Sequence, residues 1–346
     1  MIPIIDLAPI RRYPQEQQFV TQLDLALSQT GFCYLKNHGI SPSLIRAAQD
    51  AAQEFFSQPT PYKQHYSIAQ AARHSGYVGF DENGQYADEA QRLYEAYDIG
   101  LELPSDDPDF LAGNIFYGPN TWPDLPQFRP AVYAYYQAIS QLAYLLTQSI
   151  EAALGLRSHT LTNLMRKPTA QLRLIHYPEN PGLPRDAQTH TMMGAHTDYE
   201  FFTLLYQTKA GLQTVDRQGK WLDVQPLPDT LVMNVGDMAE VITAGRYRSN
   251  PHRVLNLGQE RFSMPFFAAF DYQARIEPML ENINPSYFSE QRSLIAGEHL
   301  LQQVRQDFAY LRMQASQEHP KTQPSEIAHL HQTRNPFLKG KIRWTQ

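Results

Sequence analysis

Cysteine is almost absent from this chain. Among 346 residues there is one, Cys33, so no intramolecular disulfide can form, and a reducing, cytoplasmic setting is expected. Long apolar runs are missing too. No stretch approaches the about 18 residues that a membrane-crossing helix needs. The N-terminal stretch Ile2 to Leu7 lacks a basic segment ahead of an apolar core, which argues against a signal peptide and for an early strand. Charge of one sign is not in excess either. The net charge is −6 with acids and bases interspersed, which speaks against a basic nucleic-acid footprint. No internal repeat is visible, and no His-Glu-x-x-His helix of the kind a zinc hydrolase would use.

Aromatic residues are abundant. The 20 tyrosines and 17 phenylalanines suit a sheet-rich core and the walls of a small-molecule pocket. In the N-terminal part the pattern is mainly helical. Phe19, Val20, Leu23, Ala26 and Leu27 share one helical face, and Gly31 ends that helix. Phe32 to Leu35 reads as a strand. Ser41 can cap a helix running to about Phe56. From Pro126 to Leu154 apolar residues recur at spacings of three and four, with Gly155 as the stop.

The pattern then changes to short apolar runs bounded by Gly, Pro, Asn and Asp. Gln171 to Tyr177, Phe201 to Tyr206, Gly211 to Val215, Trp221 to Val224, Thr230 to Asn234, His252 to Leu255 and Arg261 to Phe270 read as strands, the pattern of a β-sandwich or barrel. Asp216 to Gly219 reads as a hairpin turn, and Asn180 to Met193 as a polar loop. Helix returns from about Ser289 to Gln314. The whole chain, 1–346, therefore reads as one domain: 1–165 mainly helical, 166–285 a β core, and 286–346 a helix and polar tail.

Within the β core stand His196 and Asp198, and further on His252. Two imidazoles and one carboxylate are the set that holds a non-haem Fe(II) on one face of its octahedron, leaving the other face open. His196 and Asp198 are two apart, so in extended backbone both point to one side. A His-x-Asp pair by itself is commonplace, and zinc accepts the same donors. Arg261 and Ser263, again i and i+2, offer a guanidinium and a hydroxyl to a carboxylate, with the strand carrying them expected beside that of His252. Tyr177 is placed to add a third hydrogen bond. His176 and His190 are further imidazoles that could orient ligands.

Many ordered matches make the chain resemble the isopenicillin N synthase-like family of Fe(II)/2-oxoglutarate-dependent oxygenases. They are Ile2 to Leu7, Gly31 to Gly39, Glu95 to Gly100, Asn120 to Pro123, Leu172 to Pro178, Gly194 to Asp198, Asn234 to Asp237, Asn250 to Val254, and Arg261 to Ser263. The resemblance spans nearly the whole chain. It implies an α+β fold, mainly β with flanking helices, around a double-stranded β-helix (jelly-roll) core. It implies His196, Asp198 and His252 as iron ligands, with Arg261, Ser263 and Tyr177 near the co-substrate carboxylate.

The implied reaction is hydroxylation or desaturation of a small molecule. Fe(II) is the cofactor, ascorbate a supporting reductant, and 2-oxoglutarate and O2 become succinate and CO2. Alternatives within the fold are an oxidase that uses no 2-oxoglutarate, or an ethylene-forming type; outside catalysis, an inactive jelly-roll binding protein. Where many members carry Asn two residues before the tyrosine, this chain has Ile175, which predicts a changed contact at the co-substrate. Arg173, Tyr199, Phe201, Phe270, Tyr77 and Phe80 flank family motifs and are candidate substrate contacts. No nucleic-acid or membrane partner is expected, and the chain reads as a monomer or weak homo-oligomer.

Overall fold

The short apolar runs become two β-sheets that face each other. The computed structural model describes residues 1–10, 13–80, 93–179, 191–216, 218–280 and 293–318. Its strands are β1 Ile4–Asp6, β2 Phe32–Lys36, β3 Gly76–Val78, β4 Glu95–Gly100, β5 Gln171–Tyr177, β6 Thr191–His196, β7 Phe202–Gln207, β8 Leu212–Val215, β9 Trp221–Asp223, β10 Thr230–Val235, β11 His252–Leu255 and β12 Arg261–Ala268. The larger sheet has the order β1-β2-β10-β7-β12-β5-β4-β3, and the smaller β6-β11-β8-β9. Sheet-rich with flanking helices, the fold is the expected one.

Period-2 alternation explains why the cavity lies between the sheets. Along β12, Arg261, Ser263, Pro265 and Phe267 line it, while Phe262, Met264, Phe266 and Ala268 pack into the core behind. Along β5, Gln171, Arg173, Ile175 and Tyr177 line it, and Leu172 and Leu174 face the core. The two strands are antiparallel neighbours with Arg261 opposite Tyr177, so both sets of side chains share one face. The helices Gln17–Thr30, Pro42–Phe56 and Phe128–Ala153 join that core; Tyr136 meets Phe266 edge-on at 5.6 Å.

The expected helices form, with their expected ends. Ser41 caps the Pro42–Phe56 helix through the Ser43 N–H. Gly31 ends the first helix at φ 63°, where an added Cβ would sit 2.7 Å from the Arg248 carbonyl oxygen. Asp216 closes the β8–β9 hairpin by accepting from the Gln218 and Lys220 N–H groups.

Several expectations change. The first 165 residues are not only helical, because β1 to β4 extend the larger sheet from within them. Strands of three residues carry too little periodicity to stand out in sequence. Thr191 to Met193 belong to β6 rather than to a loop, while 180–190, including His190, lie outside the described residues. The C-terminal helix is two, Ala296–Asp307 and Ala309–Glu318, broken at Phe308, whose backbone is extended. None of the described helices is long and apolar enough to cross a membrane.

Candidate metal centre

His196, Asp198 and His252 meet at one end of the cavity. Each offers one ligand atom, and these atoms lie within 4.8 Å of one another. His196 is the last residue of β6 and pairs with His252, the first of β11, so the sheet register itself brings the two rings together at 4.3 Å between centroids. Asp198 is not on the same strand, as its spacing had led us to expect. It lies just past the end of β6, in a turn. The backbone of that turn is clamped: the Asp237 N–H donates to the Asp198 carbonyl at 2.9 Å, and the Met238 N–H to the Glu200 carbonyl at 3.1 Å. Gly236 permits this approach, since a Cβ there would collide with the Glu200 backbone.

The polar atoms of the triad are sorted by their other partners. The Nδ1 of His196 lies 2.8 Å from the Gly194 carbonyl, and that of His252 3.2 Å from the Asn250 carbonyl. A carbonyl only accepts, so each Nδ1 is the protonated nitrogen and each Nε2 keeps its lone pair. Those Nε2 atoms face Asp198 Oδ1, at 3.8 Å from His196 and 3.5 Å from His252. The other oxygen, Oδ2, accepts from Thr203 Oγ1 at 2.5 Å and Asn234 Nδ2 at 2.6 Å. Burial opposes ionisation of Asp198, yet the two imidazoles outweigh it and hold the carboxyl well below the usual carboxylate range. Its neighbour Glu200 goes the other way: burial first, and then Asp198, push that carboxyl up to about 8. Two neutral imidazoles and one carboxylate converging on one point, with their outer atoms tied down, fit a divalent iron.

On the larger sheet is the anion end. Arg261 is 3% exposed. Its guanidinium donates to Ser263 Oγ at 3.1 Å, Gln207 Oε1 at 3.0 Å and the Lys209 carbonyl at 3.2 Å, and lies 4.8 Å above the Tyr177 ring. Among the described residues no carboxylate pairs with it. A buried cation held only by neutral acceptors is matched to an incoming carboxylate. Its strand does not lie beside that of His252, as anticipated. β11 belongs to the smaller sheet and β12 to the larger, so Arg261 faces the cavity from the opposite wall.

The substrate candidates divide. Arg173 and Tyr199 line the cavity, which measures about 910 Å³ out to its open mouth. Arg173 is bidentate on Asp98 at 2.7 and 2.8 Å, and the Tyr199 hydroxyl donates to Asp307 at 2.8 Å. Phe201 and Phe270 do not line it; they pack on each other at 4.8 Å in the core behind. Tyr77 is buried elsewhere, donating to Glu95 at 2.6 Å, and Phe80 is on the surface. His176 points away from the iron site, between Glu95 and Glu260 and stacked on Phe262. Sequence reasoning missed Thr203, Gln207 and Glu200, because isolated polar residues on apolar strands carry no motif. Asn234 was seen only as part of a motif, without its bond to Asp198.

Comparison with known proteins agrees with this site. Residues 2–125 match the family model described as the N-terminal region of a non-haem dioxygenase in morphine synthesis, and residues 168–269 that of the 2OG-Fe(II) oxygenase superfamily. The chain is 32% identical over 318 residues to 2-oxoglutarate-dependent dioxygenase citB of Monascus ruber, covering 88% of this chain and 94% of the relative. It is 30% identical over 323 residues to homoarginine-6-hydroxylase 2-ODD-233 of Oryza sativa, covering 89% and 97%. A full-length Neurospora crassa protein crystallised with alpha-KG and thymine superposes with a TM-score of 0.74 at 24% identity, over 88% of this chain and 96% of that one. The chain belongs to the 2OG-Fe(II) oxygenase superfamily. It is an oxidoreductase that depends on Fe(II) and 2-oxoglutarate, and the facing sheets are the double-stranded β-helix core of that family.

Proposed function

We propose that His196 Nε2, Asp198 Oδ1 and His252 Nε2 hold the iron, and that Arg261, Ser263 and Tyr177 hold the far carboxylate of 2-oxoglutarate. The reaction is hydroxylation or desaturation of a small organic molecule that enters past Arg173 and Tyr199. Iron, when bound, supplies oxygen activation coupled to conversion of 2-oxoglutarate to succinate and CO2. The residues' part is to bind and orient. Thr203 and Asn234 keep one Asp198 oxygen away from the metal, and the Gly194 and Asn250 carbonyls fix the imidazole tautomers. Ile175, Met193, Leu205 and Val254 give the cavity apolar walls that exclude water.

The observation that carries this reading is buried Arg261 without a protein carboxylate, on the wall opposite the triad. The solved thymine complex of a similarly folded protein supports a small-molecule substrate. The whole chain is taken as one oxygenase domain, since one core runs from Ile5 to Ala296. Its lone cysteine is in keeping with the cytoplasm, and a monomer or weak homo-oligomer with ascorbate as supporting reductant completes the picture. The test is oxygen uptake and succinate formation with Fe(II) and ascorbate, with and without 2-oxoglutarate. Strict dependence on 2-oxoglutarate, lost in Arg261→Ala, is expected. Oxygen uptake independent of it would assign the same-fold oxidase type instead.

A further inference from the structure

One polar group in the cavity is used neither by the iron nor by the co-substrate. Glu200 lies two residues past Asp198, lines the cavity and is 5% exposed. Apart from its own backbone N–H, its carboxyl has no hydrogen-bond donor among the described residues. Burying a carboxyl in that condition is unfavourable unless something in the cavity completes it. The neighbouring carboxylates Asp198 and Asp237 add to the cost.

The other charges near it are already matched. Arg173 is bidentate on Asp98, and its face lies 5.6 Å from the Phe308 ring. Arg261 is on the co-substrate side, and no lysine stands among the described lining residues. Asp307, engaged by the Tyr199 hydroxyl, adds a further carboxylate at this end. A carboxylate-bearing substrate would therefore meet acids, whereas a basic nitrogen would meet a partner. Around these groups Ile175, Leu205, Val304 and Phe308 are apolar.

We propose that Glu200 is the recognition point for the primary substrate. That substrate is an amine, primary or secondary, on a largely apolar body, whose N–H donates to the Glu200 carboxylate. This names a substrate class for the reaction proposed above and rests on that reading.

Binding calorimetry with three probes of one shape tests it: phenethylamine, 2-phenylethanol and 3-phenylpropionate. Each is titrated into the full-length protein holding Fe(II) and 2-oxoglutarate without oxygen, and into the metal-free protein. Phenethylamine is expected to bind about tenfold or more tightly than either isostere, the effect of one charge-assisted hydrogen bond. In Glu200→Gln the ratio should fall to about one. Three outcomes overturn the proposal: 3-phenylpropionate binding as tightly as the amine, no amine binding at millimolar concentration, or a preference that survives in Glu200→Gln. Should that variant not fold, the wild-type ranking decides. Because the ranking is also read on metal-free protein, its failure is distinct from a failure to load iron or turn over 2-oxoglutarate.

Discussion

At the iron end of the cavity each ligand side chain has a second partner that is not the metal, whereas at the substrate end Glu200 is left with none but its own backbone. His196 and His252 are tied to backbone carbonyls, and Asp198 to Thr203 and Asn234. At the other end Arg173 is matched to Asp98, Tyr199 to Asp307, and Glu200 waits for a ligand. The iron end is preorganised for a small sphere of fixed geometry. The substrate end is shaped by whatever molecule completes it. This is how one fold keeps a reaction while its substrates diverge: the supports of the metal are backbone and neighbouring strands, and the substrate contacts are side chains facing open space.

The comparison can be broken most severely by His196→Ala. Two remaining donors cannot hold iron, so metal binding and succinate formation should fall to background. Undiminished succinate formation would sink the assignment of the triad. Arg261→Ala comes next. It removes a buried cation that meets the co-substrate, and should weaken 2-oxoglutarate binding by about 2–5 kcal/mol, with iron binding largely retained. An unchanged requirement for 2-oxoglutarate would place its carboxylate elsewhere.

Asn234→Ala probes the supports rather than the ligands. Freeing Asp198 Oδ2 should lower metal affinity by about 10- to 100-fold, read by Fe(II) titration, without changing the co-substrate affinity at saturating metal. Phe270→Ala should have the smallest effect on the reaction. It lies behind the cavity, so it should cost about 3–5 kcal/mol of stability in denaturant unfolding while leaving substrate preference unchanged. A shifted substrate preference would return Phe270 to the cavity wall.

Much of the site was legible because the chemistry it needs is rare in sequence. His-x-Asp with a distant His, followed by Arg-x-Ser, pairs unusual residue types at strand spacing, and that spacing survives folding on β12 and β5. What was illegible follows from burial on both faces. In β7 and β12 the residues on both sides are apolar or aromatic, so sequence alone could not separate Phe267, which lines the cavity, from Phe266 and Phe270, which pack behind it. Tyr77 looked like a pocket aromatic for the same reason, and its hydroxyl instead serves the buried Lys63–Glu95 pair.

By itself the sequence determined the donor set, the i, i+2 pairing of Arg261 with Ser263, the helices with their caps, and the family, because these depend on residue type and local period. Only the tertiary structure decided that the iron ligands and Arg261 stand on opposite walls. It also decided that the Asp237 and Met238 N–H groups clamp the Asp198 turn, and that Glu200 opens into the cavity. Each of those facts is set by the pairing of strands far apart in the chain, which no local pattern encodes.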